Sequence, residues 1–391
     1  MTNFRTPRGV KDYIPSECYA KNSLENTISA ILKASGFCHV ETGNLEYFDL
    51  YTNENGVDAN KMFKLTDTDG ALLVLRPDVT RQIVRLASSK LGGGLQKLYY
   101  IANSFEFLPD TLGQSSRSRE FAQIGVEILN ANCVASDTEA LILAIESLKS
   151  SGLDDFIIEL GHIDFLNGIL DDAKLDSNAE VELKKYLNSK DALGLEMFVS
   201  NQKLSSGTIT ALKEVSSLYG GLEILAKAKL ITKSELALKA IENLEKLTAQ
   251  LKLAGYAKYI RIDLALLKGG YYSGVVFKGL ASSCGSAILD GGRYTFGGAD
   301  GVGFCIGVQR LLESLSNLNA TIKKLPIDIA FINKDGFSSV EFDYIKRLRS
   351  EGFSVIKLFC TDENSLKNYC KQNDIKRAIV FSGKDVKEVQ L

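Results

Sequence analysis

Over its first 150 residues the chain interleaves hairpin signals with helical periods and never settles into strand–helix–strand alternation. That pattern argues against a doubly wound parallel sheet and for an antiparallel sheet flanked by helices, an α+β fold. Residues 16–35 carry Ala20, Leu24, Ile28, Ile31 and Leu32 at helical spacing, with Ser16 available as a cap and Gly36 as a stop. Two short apolar runs, 62–65 and 71–75, flank Thr66-Asp67-Thr68-Asp69-Gly70, where Asp69-Gly70 signals a hairpin. Pro77 suits the first turn of a helix carrying Val79, Ile83, Val84 and Leu86. Residues 98–101 and 121–129 read as strands joined by a polar, Ser-rich loop, and 137–149 as a helix.

The texture then changes twice. From about 161 to 256 the periods at 178–188, 206–218 and 232–253 are helical, which reads as a mostly helical insertion. Strand and turn signals return at 271–279 and 287–289, before a Gly-rich stretch at 291–303 and a closing helix at 307–316. After a linker at 317–325, strand-like runs at 327–332, 354–359 and 378–381 alternate with helical ones at 338–349 and 364–373. That alternation predicts a small α/β domain with a parallel sheet over 326–391, attached to a core domain over 1–320. At about 65 residues the smaller domain is close to the lower limit for independent stability, so it is expected to pack on the body.

Composition narrows the function classes. Lys and Arg number 46 against 48 Asp and Glu, a net charge of −2, which gives no electrostatic case for coating nucleic acid. No apolar run approaches the roughly 20 residues of a membrane span, and the start MTNFRTPRGVKDY lacks a signal peptide's apolar stretch. Seven scattered cysteines without a CxxC, and only two histidines, fit a reduced cytoplasmic protein with no metal and no cofactor. The glycines of Gly301-Val302-Gly303-Phe304-Cys305-Ile306-Gly307 are not spaced as a phosphate cradle and read as close packing of a strand against a helix. His162, among apolar neighbours, reads as structural, and neither histidine is placed to activate a cysteine.

Three groups of segments are more specific. They are Arg5-Thr6-Pro7-Arg8-Gly9-Val10-Lys11-Asp12-Tyr13; Leu75-Arg76-Pro77-Asp78-Val79-Thr80 with the run from Arg117 to Glu127; and Tyr271-Tyr272-Ser273-Gly274 with Gly291-Gly292-Arg293-Tyr294 and the run from Gly303 to Leu311. In order and content they resemble the histidyl-tRNA synthetase family over nearly the whole chain. The resemblance implies a class II aminoacyl-tRNA synthetase-like antiparallel sheet, with Arg310 as the arginine of the third signature motif and the tail as a shortened anticodon-binding domain. It also implies that Asp78, Gln123 and Glu127 hold the polar groups of a histidine, with Arg117, Tyr271 and Tyr272 lining the same pocket. Gln123 and Glu127, four apart on a strand, point to one face, as does Arg119. The bland alternative is that Asp78 and Glu127 simply pair with neighbouring arginines.

Activating an amino acid requires fixed positive charge at the α-phosphate of ATP. The family places one such arginine after a phenylalanine of its second motif; the matching text here, Asn103-Ser104-Phe105-Glu106, has a glutamate. No arginine occurs between Arg85 and Arg117. A second family arginine and an aspartate are matched by Leu267 and Gly270, and no arginine occurs between Arg261 and Arg293. Lys268 carries charge but not the planar fork that suits phosphate. A synthetase scaffold stripped of these groups resembles the regulatory subunits of ATP phosphoribosyltransferase. That resemblance implies a catalytically silent chain, assembly with a short-form catalytic subunit in a mixed complex, self-association through the core, and feedback inhibition by free histidine. Charge and hydropathy, as above, point to no nucleic acid and no membrane as partners. The alternatives are a divergent active histidyl-tRNA synthetase, using Arg119, Lys97 or Lys268 at the phosphate, and a free-standing amino-acid sensor.

Overall fold

The structure, a computed structural model, describes residues 5–52, 57–107, 118–189, 191–202, 204–267, 272–318, 327–336 and 339–391. The chain divides into two compact units, Met1–Tyr13 with Lys21–Thr321, and Ile14–Ala20 with Ile322–Leu391. The expected linker at 317–325 lies mostly outside the described residues.

Strands along the larger unit are β1 (Cys38–His39), β2 (Leu45–Tyr47), β3 (Lys64–Thr66), β4 (Leu72–Leu75), β5 (Gln96–Phe105), β6 (Glu120–Leu129), β7 (Phe156–His162), β8 (Tyr219–Gly220), β9 (Ile260–Asp263), β10 (Tyr272–Ala281), β11 (Leu289–Phe296) and β12 (Ala299–Gly307). Nine form one sheet in the order β1-β5-β6-β12-β11-β10-β7-β9-β8, and β2-β4-β3 form a small one. The sheet is antiparallel as expected except at two junctions, β1–β5 and β7–β9, which are parallel.

Register divides the large sheet into two chemically different faces. β5 and β6 pair from Gln96↔Leu129 to Phe105↔Glu120, so Tyr100, Ala102 and Ser104 share a face with Gln123, Gly125 and Glu127. Across β12 and β11 the same face continues through Gly303, Cys305, Gly292, Asp290 and Tyr294. The opposite face carries Tyr99, Ile124, Val126, Ile128, Phe304 and Ile306 into the main core.

Helices α1 (Pro15–Ala34), α2 (Asp49–Thr52), α3 (Thr80–Leu86) and α4 (Val134–Ser150) belong to the N-terminal half. α1 and α4 bring Leu24, Ile28, Leu32, Leu141, Ile145 and Leu148 into the main core. α3 lies on the other face, with Ile83 and Val84 against Leu98, Tyr100, Tyr294 and Phe296. α1 begins one residue before Ser16, and its first turn is capped instead by Glu17, whose carboxylate accepts the main-chain N–H of Ile14 at 3.1 Å. Gly36, at φ +82°, ends it as expected. Pro77 lies outside α3, because Asp78 takes over the start of that helix, accepting the N–H of Arg81 at 3.1 Å. The β3–β4 hairpin forms as read, with Gly70 at φ +88°.

The insertion holds α5 (Ile163–Ala173), α6 (Ser177–Ser189), α7 (Ala192–Ser200), α8 (Ser206–Val215), α9 (Glu223–Ile231) and α10 (Glu235–Leu253), and α11 (Val308–Asn317) follows β12. α10 presents Ala237, Ala240, Ile241, Leu244, Leu247 and Leu251 to the core. Gly168 of α5 is what lets the two helices meet: a Cβ there would lie 2.5 Å from Ser234 Oγ and 2.7 Å from Ala237 N.

The smaller unit contains β13 (Ile329–Asn333), β14 (Val355–Lys357), β15 (Arg377–Ser382) and β16 (Asp385–Val389), ordered β14-β13-β15-β16, with α12 (Ser339–Ser350) and α13 (Glu363–Gln372). Its sheet is not wholly parallel, because β16 turns back antiparallel on β15. Alternate residues face opposite helices: Ile329, Phe331, Ile379 and Phe381 meet Ile345 and Leu348 of α12, whereas Ala330, Ile332, Ala378 and Val380 meet Leu366 and Cys370 of α13.

Candidate functional site

The α3-side face of the large sheet has a floor of glycines, and each admits one functional side chain. A Cβ on Gly125 would collide with the phenol ring of Tyr100, one on Gly303 with the carboxylate of Glu127, one on Gly301 with the phenol of Tyr294, and one on Gly292 would stand 2.9 Å from the ring of Tyr272. The glycines at 301 and 303 therefore serve side chains lying flat across the sheet, and not the strand–helix packing expected of them. What results is a cleft floor of three phenols and a carboxylate, set beside the N-terminus of α3.

Glu127 is at its centre and is 2 % exposed. Thr80 Oγ1, on the first residue of α3, donates to Glu127 Oε1 at 2.7 Å, and the Tyr294 hydroxyl donates to Oε2 at 2.6 Å. Those two donors lower its pKa, but burial outweighs them and, with a smaller push from Asp78, holds it at about 8. Glu127 thus takes hydroxyl donors, not the arginine of the bland alternative. Asp78 is held at its carboxylate, which accepts from Arg81 N, and at its carbonyl, which accepts the Tyr51 hydroxyl of α2 at 2.8 Å. Gln123 Oε1 accepts from Ser104 Oγ at 3.0 Å. Burial drives the phenols of Tyr100 and Tyr272 well above their ordinary range, and Cys305, Glu127 and Asp78 add to the rise in both. Asp78, Gln123, Glu127 and Tyr272 accordingly line one surface; Arg117 and Tyr271 lie outside the described residues.

Such a surface suits a cation. A buried carboxyl that is protonated at neutral pH ionises when an ammonium or imidazolium is brought against it, and phenol faces favour the same charge.

Around this floor the charged groups are mostly engaged. Glu106 continues the parity of Ser104, so it shares the cleft face, and Lys61 Nζ stands 3.6 Å from its carboxylate. The Arg119 guanidinium lies 5.7 Å over the Phe107 ring. Lys97 falls on the other parity, turned from the cleft, and pairs with Glu139 at 2.6 Å. Arg310 is exposed on α11 and donates to the Ala287 carbonyl at 2.7 Å. Lys268 is outside the described residues. His162 is structural, as read: its Nδ1 accepts the main-chain N–H of Asp164 at 3.2 Å and caps α5, and burial, with Arg293 nearby, pushes its pKa down to about 4.

Sequence reasoning passed over Thr80, Tyr100, Tyr294 and Cys305 as members of the cleft. Thr80 lay in a quoted motif without a role. For Tyr294 the available signal was pairing: in a β11–β12 hairpin the glycine opposite a tyrosine is the place where its ring can lie.

The fold and this cleft define a class II aminoacyl-tRNA synthetase-like protein. Residues 9–311 match the histidyl-tRNA synthetase family. The ATP phosphoribosyltransferase regulatory subunit of Acetivibrio thermocellus is 30 % identical over 375 residues, covering 93 % of this chain and 89 % of that one. The protein of the same name from Clostridium kluyveri is 31 % identical over 391 residues, covering 96 % and 99 %. A solved structure of an ATP phosphoribosyltransferase regulatory subunit/histidyl-tRNA synthetase from Bacillus halodurans C superposes with a TM-score of 0.84 at 26 % identity, over 97 % of this chain and 99 % of that one. Histidyl-tRNA synthetase from Nostoc sp. PCC 7120, at 19 % identity, shares the fold with a TM-score of 0.83 over 100 % of this chain and 97 % of that one. The chain belongs to the histidyl-tRNA synthetase family, in its branch of ATP phosphoribosyltransferase regulatory subunits.

Proposed function

We propose that this chain is a non-catalytic regulatory subunit of ATP phosphoribosyltransferase. It assembles with a short-form catalytic subunit and with copies of itself, and it carries histidine feedback to the first step of histidine biosynthesis. Whole-length similarity to regulatory subunits is the observation that carries this reading.

Three features support its finer parts. Asp78, Gln123, Glu127 and Tyr272, with Arg117 and Tyr271, would hold the ammonium and ring of a histidine, because a buried carboxyl among phenols rewards a cation. For adenylation the cleft is adverse: Glu106, which the resemblance aligns with the second-motif arginine, offers a carboxylate paired with Lys61 in place of a free guanidinium, and Leu267, aligned with the other arginine, packs against the main core. At an effective dielectric near 20, unit charges about 4 Å apart interact by about 4 kcal/mol, so reversing one sign costs orders of magnitude in rate even after screening. Self-association is favoured by the outer face of the β2-β4-β3 sheet, where Leu45, Tyr47 and Leu65 are 51, 59 and 42 % exposed beside Leu73 and Leu75.

The purified chain is expected to show no histidine-dependent ATP–pyrophosphate exchange, with or without tRNA, and to recover a short phosphoribosyltransferase on co-purification from native extract. Exchange activity would overturn the reading in favour of an active synthetase.

A further inference from the structure

Beside the end of β1, the edge of the large sheet opens into a cavity of about 320 Å3, lined by Glu41, Thr42, Gly43, Arg76, Tyr100 and Ile101 among others. That volume is at the small end of ligand cavities, which run from about 300 to 1,000 Å3. We propose that it is an oxyanion site, in which Arg76 takes a carboxylate or phosphate group of a small ligand.

Arg76 is 4 % exposed, yet among the described residues every hydrogen-bond partner of its guanidinium is neutral. Nε donates to the Asn103 carbonyl at 2.6 Å, and Nη1 donates to the Thr42 carbonyl at 2.9 Å, Thr42 Oγ1 at 3.0 Å and the Gly43 carbonyl at 3.3 Å. Among the described residues no carboxylate forms an ion pair with it. A guanidinium has five N–H donors, and these bonds use the Nε and Nη1 side of the fork, leaving the two of Nη2. The buried charge is therefore rigidly held and, among the described residues, has no carboxylate partner, the condition under which an incoming anion gains most. Burial also pushes the guanidinium's pKa down, and only the phenols of Tyr51 and Tyr100 oppose that shift.

The strand edge supplies a second donor. The Tyr99 carbonyl accepts Val40 N at 2.9 Å and the Asn103 carbonyl accepts Arg76 Nε, so odd residues of β5 turn their main chain outward here. Ile101 lies between them and directs its N–H into the same gap. Glu41 is an exposed carboxylate on the lining, and its charge opposes an anion. It provides a variant that leaves the buried network untouched.

The test is titration of the full chain by calorimetry with inorganic phosphate and, separately, acetate, against chloride at matched ionic strength. Binding of either anion is expected to tighten about threefold in Glu41→Gln and to weaken by at least about tenfold in Arg76→Gln. Phosphate alone would identify a phosphate-bearing ligand, and acetate alone a carboxylate. Arg76→Gln also removes main-chain contacts, so Glu41→Gln decides the matter if that variant does not fold. No binding above chloride, or binding indifferent to Glu41→Gln, would overturn the proposal.

Discussion

Glu127 concentrates the chemistry of the cleft in one ionisable group. Its pKa of about 8, against an ordinary 4.5, means that the folded chain holds a proton that the unfolded chain has released between those two values. Stability on this account is full below about pH 4.5, declines as pH rises, and levels off above about pH 8, by a few kcal/mol in all. Glu127→Gln should abolish that decline, as read from urea midpoints between pH 5 and 8. His162 works in the opposite sense, since its folded pKa of about 4 makes stability fall as pH drops from 6.5, and that acid limb should persist in Glu127→Gln. In the complex with the catalytic subunit, Glu127→Gln with Asp78→Asn is expected to relieve histidine inhibition while uninhibited transfer continues. Inhibition unchanged by the pair would place the effector at the contact between subunits.

At the scale of elements, glycines decide which side chains the sheet can host. Gly303→Ala would drive a methyl into the Glu127 carboxylate and the Val126 carbonyl, so a loss of about 1–3 kcal/mol is expected, together with loss of the histidine binding proposed for this cleft. Gly168→Ala should cost a similar amount by pushing α5 off Ser234 and Ala237 at the start of α10, but it should leave histidine affinity as it was. Comparing the two by thermal unfolding and calorimetry separates a role in the site from a role in packing. The periods of α1, α4 and α10 were legible because their apolar residues recur with the helical turn. α5, α7 and α9 went unread: short helices within a bundle are set by contacts between them more than by local pattern. The purpose of Gly301 and Gly303 was hidden because their neighbours Tyr294 and Glu127 come from other strands.

For the molecule as a whole, the contiguous exposed apolar face of the β2-β4-β3 sheet is a feature that solvent alone does not explain. If the proposed self-association uses this face, Tyr47→Lys with Leu45→Lys shifts the chain toward monomer in light scattering, with its helical content unchanged. A variant that remained associated would move self-association to another surface. Among the described residues no helix is long and apolar enough to cross a membrane.

By itself the sequence determined the α+β class, the antiparallel hairpins, the succession of helical and α/β regions, and a family resemblance strong enough to nominate Asp78, Gln123, Glu127 and Tyr272. These follow from local periodicity, turn residues and ordered motifs, all of which are properties of neighbours along the chain. Tertiary structure alone decided that Thr80 and Tyr294 hold Glu127, that Lys97 turns from the cleft, that the glycines make room for rings, and that Arg76 is buried with no ion-pair partner among the described residues. Each of those depends on strand register and on burial, which raise or cancel the cost of a charge only once distant segments have closed around it.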